Sequence, residues 1–159
     1  MLIDHGGIQK ADHPSVHCGR KFLDFGCGFY TTDDYEQAVR WAKIKTRRAK
    51  SLNVFVNTYS LDGTVFSKLR VLSFDKPDRN WLRFVTMNRK GFDTGEVFDV
   101  VRGPIANDTT ITVINSFLAG LIDEDVAIAL LKPQRLKTQY LFHTERSLRS
   151  LKFLECFQL

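Results

Sequence analysis

Segments with a two-residue period outnumber long helical segments in this chain, and the two kinds do not take turns along it. A doubly wound parallel sheet needs strand and helix to alternate, so the order favours an α+β domain. Residues 53–61 show the period plainly. Val54, Val56 and Thr58 fall on one face, and Phe55, Asn57 and Tyr59 on the other. Asp62-Gly63 follows as a turn signal. Further strands are expected at residues 1–3, 26–32, 69–74, 98–105, 138–143 and 153–157.

Helical spacing is clearest over residues 34–49, where Tyr35, Ala38, Val39, Ala42 and Ala49 recur, with Trp41 and Ile44 beside them. Thr32 or Asp33 suits its N-cap, with Glu36 as the reciprocal partner. Lys43, Lys45, Arg47, Arg48 and Lys50 read as a solvated helix end, their charge complementing the helix dipole. Shorter helices are expected at 77–88 (capped by Asp75), 109–119, 123–131 and 147–151.

With 159 residues the chain is expected to form one domain, residues 1–159. Its 43% hydrophobic content, with 13 phenylalanines, excludes a disordered chain. The net charge of +5 admits an anionic ligand, a nucleic acid or an acidic partner, and equally a solubilising surface. Cys18, Cys27 and Cys156 are odd in number and show no paired spacing, so reduced thiols are expected and zinc is not. No segment has the length and apolarity of a membrane span or a signal peptide. The expected location is therefore cytoplasmic, with no membrane partner.

Three short segments carry residues suited to chemistry. His5-Gly6-Gly7 puts an imidazole at a strand end beside glycines that let a ligand approach the backbone, or is an ordinary histidine at a turn. Gly26-Cys27-Gly28-Phe29-Tyr30 places two glycines before an aromatic strand. Tyr30 can stack on a flat heteroaromatic ring there, or be a core tyrosine after a glycine bulge. This is not a dinucleotide fingerprint, because the third glycine is missing and the strand follows the glycines. In Gln139-Tyr140-Leu141-Phe142-His143, alternation sets Gln139, Leu141 and His143 on one face and Tyr140 and Phe142 on the other. The plain reading is an edge strand with polar residues outward.

In this order the segments resemble the His–Tyr–Glu branch of the ADP-ribosyltransferase superfamily, with Gln139 in place of the glutamate. The whole chain is similar to a bacterial family catalogued as domain of unknown function 3990. The similarity rests on Asp24 to Thr32, Gln37 to Ala42, Asp99 to Asp108 and Gln139 to Leu148. It implies two packed, mainly antiparallel sheets around an NAD cleft with flanking helices, and NAD-dependent mono-ADP-ribosylation. His5 would hydrogen-bond the nicotinamide-side ribose, with Gly6 and Gly28 close to the ligand. Tyr30 would stack on nicotinamide, with Phe29 or Tyr35 as second walls. Arg102 would meet a phosphate, and Gln139 would orient the ribose without the charge a carboxylate supplies. The acceptor would be a protein or a nucleic acid.

Members of that family resemble toxin components encoded beside a small helical protein, which implies an antitoxin partner. Asp4 stands where they usually carry an aromatic residue. A carboxylate there would hydrogen-bond the His5 ring and raise its pKa. Asn107 and Asp108 are candidate acceptor contacts, or a structural corner with Asp108 as a cap. Glu145, six residues after Gln139, would substitute for the missing glutamate or, as the plainer reading, cap the helix after it. Gln139 and Asp4 also suit a different class of protein, a catalytically inactive NAD- or nucleotide-binding or protein-interaction module on the same fold.

Overall fold

The computed structural model describes residues 1–16, 22–92, 97–106 and 108–159. Among them are the strands β1 (Leu2–Gly7), β2 (Phe29–Thr32), β3 (Phe55–Leu61), β4 (Val71–Ser73), β5 (Val100–Pro104), β6 (Thr138–Phe142) and β7 (Leu151–Gln158). The α-helices are α1 (Tyr35–Ala49), α2 (Arg79–Lys90), α3 (Asp108–Leu118), α4 (Glu124–Leu131) and α5 (Glu145–Leu148). A 3-10 turn spans Gly63–Lys68, capped by Asp62. The α+β class is as expected.

The strands form one seven-stranded sheet in the order β4-β5-β6-β2-β1-β3-β7. Among the described residues only β4 and β5 pair in parallel. The expected pair of separate sheets is thereby corrected to a single hydrogen-bonded one. The reason lies between β1 and β2, where one residue pair, Asp4 opposite Thr32, carries the sheet across. Pairing on either side is longer, with six residue pairs between β1 and β3 and four between β2 and β6.

This narrow junction lets the two halves share one core. Ile3, Tyr59 and Leu61 from one half meet Phe29, Val100, Tyr140 and Phe142 from the other, with Leu148 of α5 against them. The opposite faces are covered by helices. Ala38 and Val39 of α1 pack on Val56. Trp81, Leu82 and Val85 of α2, Val113 and Ile114 of α3, and Ala127 and Leu131 of α4 pack on Val101 and Leu141. Apolar burial on both faces of the central strands is the main stabilising term.

The helices begin where side chains can satisfy their free backbone N–H groups. Asp34 caps α1 by accepting from the Gln37 N–H. The cap falls past Thr32 because Thr32 belongs to β2 and its hydroxyl donates to the Thr138 carbonyl at 2.8 Å. Asp78, not Asp75, caps α2, and Asp123 caps α4. Thr144 and Ser147 form a reciprocal cap that starts α5 at Glu145, two residues before the expected start.

Candidate functional site

His5 lies where β1 and β2 separate beyond the Asp4–Thr32 pair. Its Nδ1 is 2.7 Å from the Tyr30 carbonyl oxygen. A carbonyl only accepts, so Nδ1 carries the proton and Nε2 is left as an acceptor in the neutral ring. Burial drives the His5 pKa down to about 3, helped by the nearby Lys45 ammonium and opposed by the Tyr30 bond. The ring is therefore neutral at physiological pH. Phe29 supports it, stacked at 4.3 Å between centroids and 16° between planes.

Lys45 completes this corner. Its Nζ donates to the Gly6 carbonyl at 2.7 Å and lies 3.3 Å from His5 Nε2. The stem stays exposed, while crowding around the ammonium lowers its pKa to about 8. Lys45 is thus not simply part of a solvated helix end. Ala38, Ala42 and Lys45 are spaced four and three apart, one stripe of the helix, and the first two are fully buried. That spacing was the available signal, and grouping Lys45 with its basic neighbours hid it.

Tyr30 supports the glycine turn. Its hydroxyl donates to the Gly26 carbonyl at 2.8 Å and accepts from the Phe25 N–H at 3.1 Å. Burial pushes the phenol pKa up, with the Asp24 carboxylate adding to it. Its ring packs against the core under α2, α3 and α4. Arg89 of α2 anchors the same turn by an ion pair to Asp24 at 2.7 Å. His143 does so through backbone bonds to Phe25 and Cys27, with burial lowering its pKa. Cys27 is disulfide-bonded and Cys156 is a free thiol, which corrects the expectation of reduced thiols at Cys27. Cys18 and Asn107 lie outside the described residues.

Gly6 and Gly28 are explained by packing. A Cβ on Gly6 would lie 2.0 Å from the Ala38 carbonyl oxygen, so the glycine lets α1 sit on β1. A Cβ on Gly28 would lie 2.4 Å from the Phe142 carbonyl oxygen, and φ there is +151°.

Gln139 is not at the His5 corner. Asp4 pairs with Thr32 and Thr32 with Gln139, so these three side chains share one face, while His5, adjacent to Asp4, takes the other. The cores agree with this, since Leu141 belongs to the helix-covered core and Ile3, Phe29 and Tyr140 to the core between the sheet halves. Gln139 is 2% exposed, and its Nε2 donates to the Pro104 carbonyl at 3.3 Å. It stands in the middle of the sheet, not at an edge.

Asp4 likewise turns away from His5 and accepts from the Thr58 hydroxyl at 2.7 Å. Burial holds its carboxyl above the usual range; Thr58 opposes that, and Glu155 and Asp34 add to it. The expected Asp4–His5 bond and raised His5 pKa are therefore corrected, because neighbouring strand residues face opposite ways.

Tyr35 opens α1 and is 39% exposed, its phenol pKa raised by partial burial and by Asp4. Arg102 donates from Nε to Ser73 Oγ at 2.9 Å. It lines a cavity of about 190 Å³ with Asp75, Thr138 and Tyr140, away from His5. Asp108 opens α3, and Glu145 opens α5. The structure thus brings together His5, Gly6, Phe29 and the Tyr30 backbone, and leaves Gln139 and Arg102 apart from them. The His5 corner presents a hydrogen-bond acceptor beside an ammonium, while Gln139 does not present its amide there.

Among the described residues no helix is long and apolar enough to cross a membrane, and no cluster of His, Cys, Asp or Glu is placed to hold a metal ion. The family model described as "Protein of unknown function (DUF3990)" matches residues 1–153, and the chain belongs to that family. No curated protein and no solved structure matches it.

Proposed function

We propose that the chain binds NAD and transfers its ADP-ribose group once to an acceptor, as a mono-ADP-ribosyltransferase on an ADP-ribosyltransferase-like fold. The observation that carries this is His5, kept neutral by burial and fixed in one tautomer by the Tyr30 carbonyl, with Nε2 an acceptor that the Lys45 ammonium approaches at 3.3 Å. A ribose hydroxyl is a donor of the kind Nε2 needs. The resemblance of the His5-Gly6, Gly28-Phe29-Tyr30 and Gln139-Tyr140 segments to that superfamily supplies the reaction class.

In the proposed reaction the bond from ribose C1′ to the nicotinamide nitrogen breaks, and nicotinamide leaves with the bonding electrons. The acceptor nucleophile bonds to C1′ and its proton passes to water. Gln139, buried on the face away from His5, takes no part in this step, and no carboxylate is assigned to the developing cation. A toxin role with a small helical antitoxin and a cytoplasmic location belong to the same proposal. Co-expression of the neighbouring gene tests the partner, and failure to form a complex or relieve toxicity removes it.

The deciding experiment follows labelled NAD in a bacterial lysate with the wild-type chain and the His5→Ala and Tyr30→Ala variants. Label on a macromolecule, lost in His5→Ala, supports transfer and identifies the acceptor. No label and no NAD consumption overturns it. A second reading, an NAD- or nucleotide-binding module without the chemistry, is favoured by the burial of Gln139 on the face away from His5. Calorimetric binding of NAD without nicotinamide release would select it.

A further inference from the structure

The ammonium of Lys45 is a cation held on neutral acceptors. It donates to the Gly6 carbonyl and faces His5 Nε2, and no ion pair to it occurs among the described residues. Burial alone shifts its pKa, with no neighbouring carboxylate acting against that. Its hydrogen-bonding partners are both neutral, so an incoming anion would give it a stronger, charge-assisted bond than either. Two other lysines have an anionic partner, Lys137 with Asp34 at 2.8 Å and Lys10 with Asp12 at 3.0 Å.

The surroundings of Lys45 favour a ligand over a structural role. Lys45 is exposed, so its side chain has room to move outward from the sheet. Next to it, Gly7 carries no side chain to crowd the imidazole, since a Cβ there would sit 3.3 Å from His5 Nε2. His5 Nε2 and the Lys45 ammonium therefore form adjacent hydrogen-bonding positions of opposite kind, one accepting and one donating. A ribose next to a phosphate carries the complementary pair, a hydroxyl that donates and an oxyanion that accepts.

We propose that Lys45 is a phosphate-binding residue, resting on His5 Nε2 and Gly6 in the free protein and moving onto a phosphate of a ribonucleotide ligand, which frees Nε2 for the neighbouring ribose hydroxyl. This rests on the NAD reading for the identity of the ligand, and on the Lys45–His5 geometry for the site. Lysine suits the role because its ammonium is a single point charge on a long flexible stem, able to leave one acceptor for another.

The test measures binding of ADP-ribose, pyrophosphate and nicotinamide riboside, which lacks the pyrophosphate, to the wild-type chain and to Lys45→Met and Lys45→Arg. The side-chain nitrogen signals of His5 are followed by NMR, and thermal melting confirms that each variant is folded. Lys45→Met should weaken ADP-ribose and pyrophosphate by roughly tenfold to a hundredfold, the usual range for losing a hydrogen bond to a charged group. Nicotinamide riboside, which has no phosphate to draw the ammonium off Nε2, should bind Lys45→Met at least as tightly as wild type, and Lys45→Arg should recover most of the loss in phosphate binding. In the wild type, ADP-ribose should shift His5 Nε2 as the ammonium leaves.

Equal binding of ADP-ribose by wild type and Lys45→Met overturns the proposal and leaves the NAD reading standing. Pyrophosphate binding that depends on Lys45, in a chain that does not bind NAD, supports the proposal and overturns that reading. Binding of none of the three probes overturns both.

Discussion

The side-chain nitrogen of Gln139 lies 3.3 Å from the carbonyl oxygen of Pro104. The same oxygen accepts from the Trp81 indole at 3.2 Å. The position that resembles a catalytic glutamate is therefore a buried donor joining β6 to β5 and, through Pro104, to α2.

Gln139→Glu should consequently destabilise the protein without raising turnover. A carboxylate cannot donate to Pro104, and burial would raise its pKa. Its folded value would then exceed the unfolded one, so the variant is closest to wild type at acid pH and loses stability as pH rises. Urea unfolding should show a loss of about 1–3 kcal/mol at pH 7, and less at pH 4. An unchanged midpoint with faster NAD turnover would mean that residue 139 can reach the reacting bond.

His5 predicts an acid-sensitive fold. Its folded pKa of about 3 lies below the ordinary 6.5, so the unfolded chain binds more protons between those values. Its contribution to stability is complete above about pH 6.5 and is lost as pH falls toward 3. His5→Phe should melt lower than wild type at pH 7, since the Tyr30 carbonyl loses its partner. It should also fall less steeply than wild type between pH 6.5 and pH 4. Equal slopes in calorimetry would place the titration elsewhere.

Asp4 predicts the opposite trend. Its carboxyl pKa is raised, chiefly by burial, so its charge is increasingly unfavourable as pH rises above the ordinary value. Asp4→Asn keeps an acceptor for the Thr58 hydroxyl and removes the charge. Its melting temperature should exceed that of wild type at pH 7, and the gain should shrink toward pH 4. A lower melting temperature at pH 7 would show that the ionised group is needed.

Glycine replacements separate packing from open backbone. Gly6→Ala would place a methyl against the backbone of α1 at Ala38 and Ala42, which cannot yield without moving the helix. A loss of about 3 kcal/mol is expected. At Gly63 an added Cβ meets nothing within 4 Å, so Gly63→Ala should be neutral or stabilise by about 0.4–1 kcal/mol. Chemical denaturation of both variants checks the pair, and a tolerated Gly6→Ala would mean that α1 can shift on β1.

Much of the architecture was legible in the sequence. The alternation of residues 53–61 gave β3 its two faces, and the split of Gln139 from Tyr140 in β6 was read correctly. The stripe through Ala38 and Ala42 located the buried side of α1. Helix starts slipped by a few residues because the chain offers several capping side chains in succession, such as Thr32, Asp33 and Asp34. Backbone pairing decides among them.

What could not be read was which faces of different strands end up together. Period two orders residues within one strand, but the relation of His5 to Gln139 depends on the register of β1 on β2 and of β2 on β6. Lys45 was missed for a related reason. Its role comes from a helix crossing a strand end 39 residues away in sequence from Gly6.

The two glycines that abut Ala38 and Phe142 carry a consequence for reading relatives of this chain. Their small size is demanded by a helix and a strand pressing on them, whether or not any ligand binds. A descendant that kept this shape would retain the glycines at positions 6 and 28 whatever it binds. The signature would then trace ancestry faithfully while saying little about present activity, and members of the lineage would have to be sorted by the side chains around the histidine.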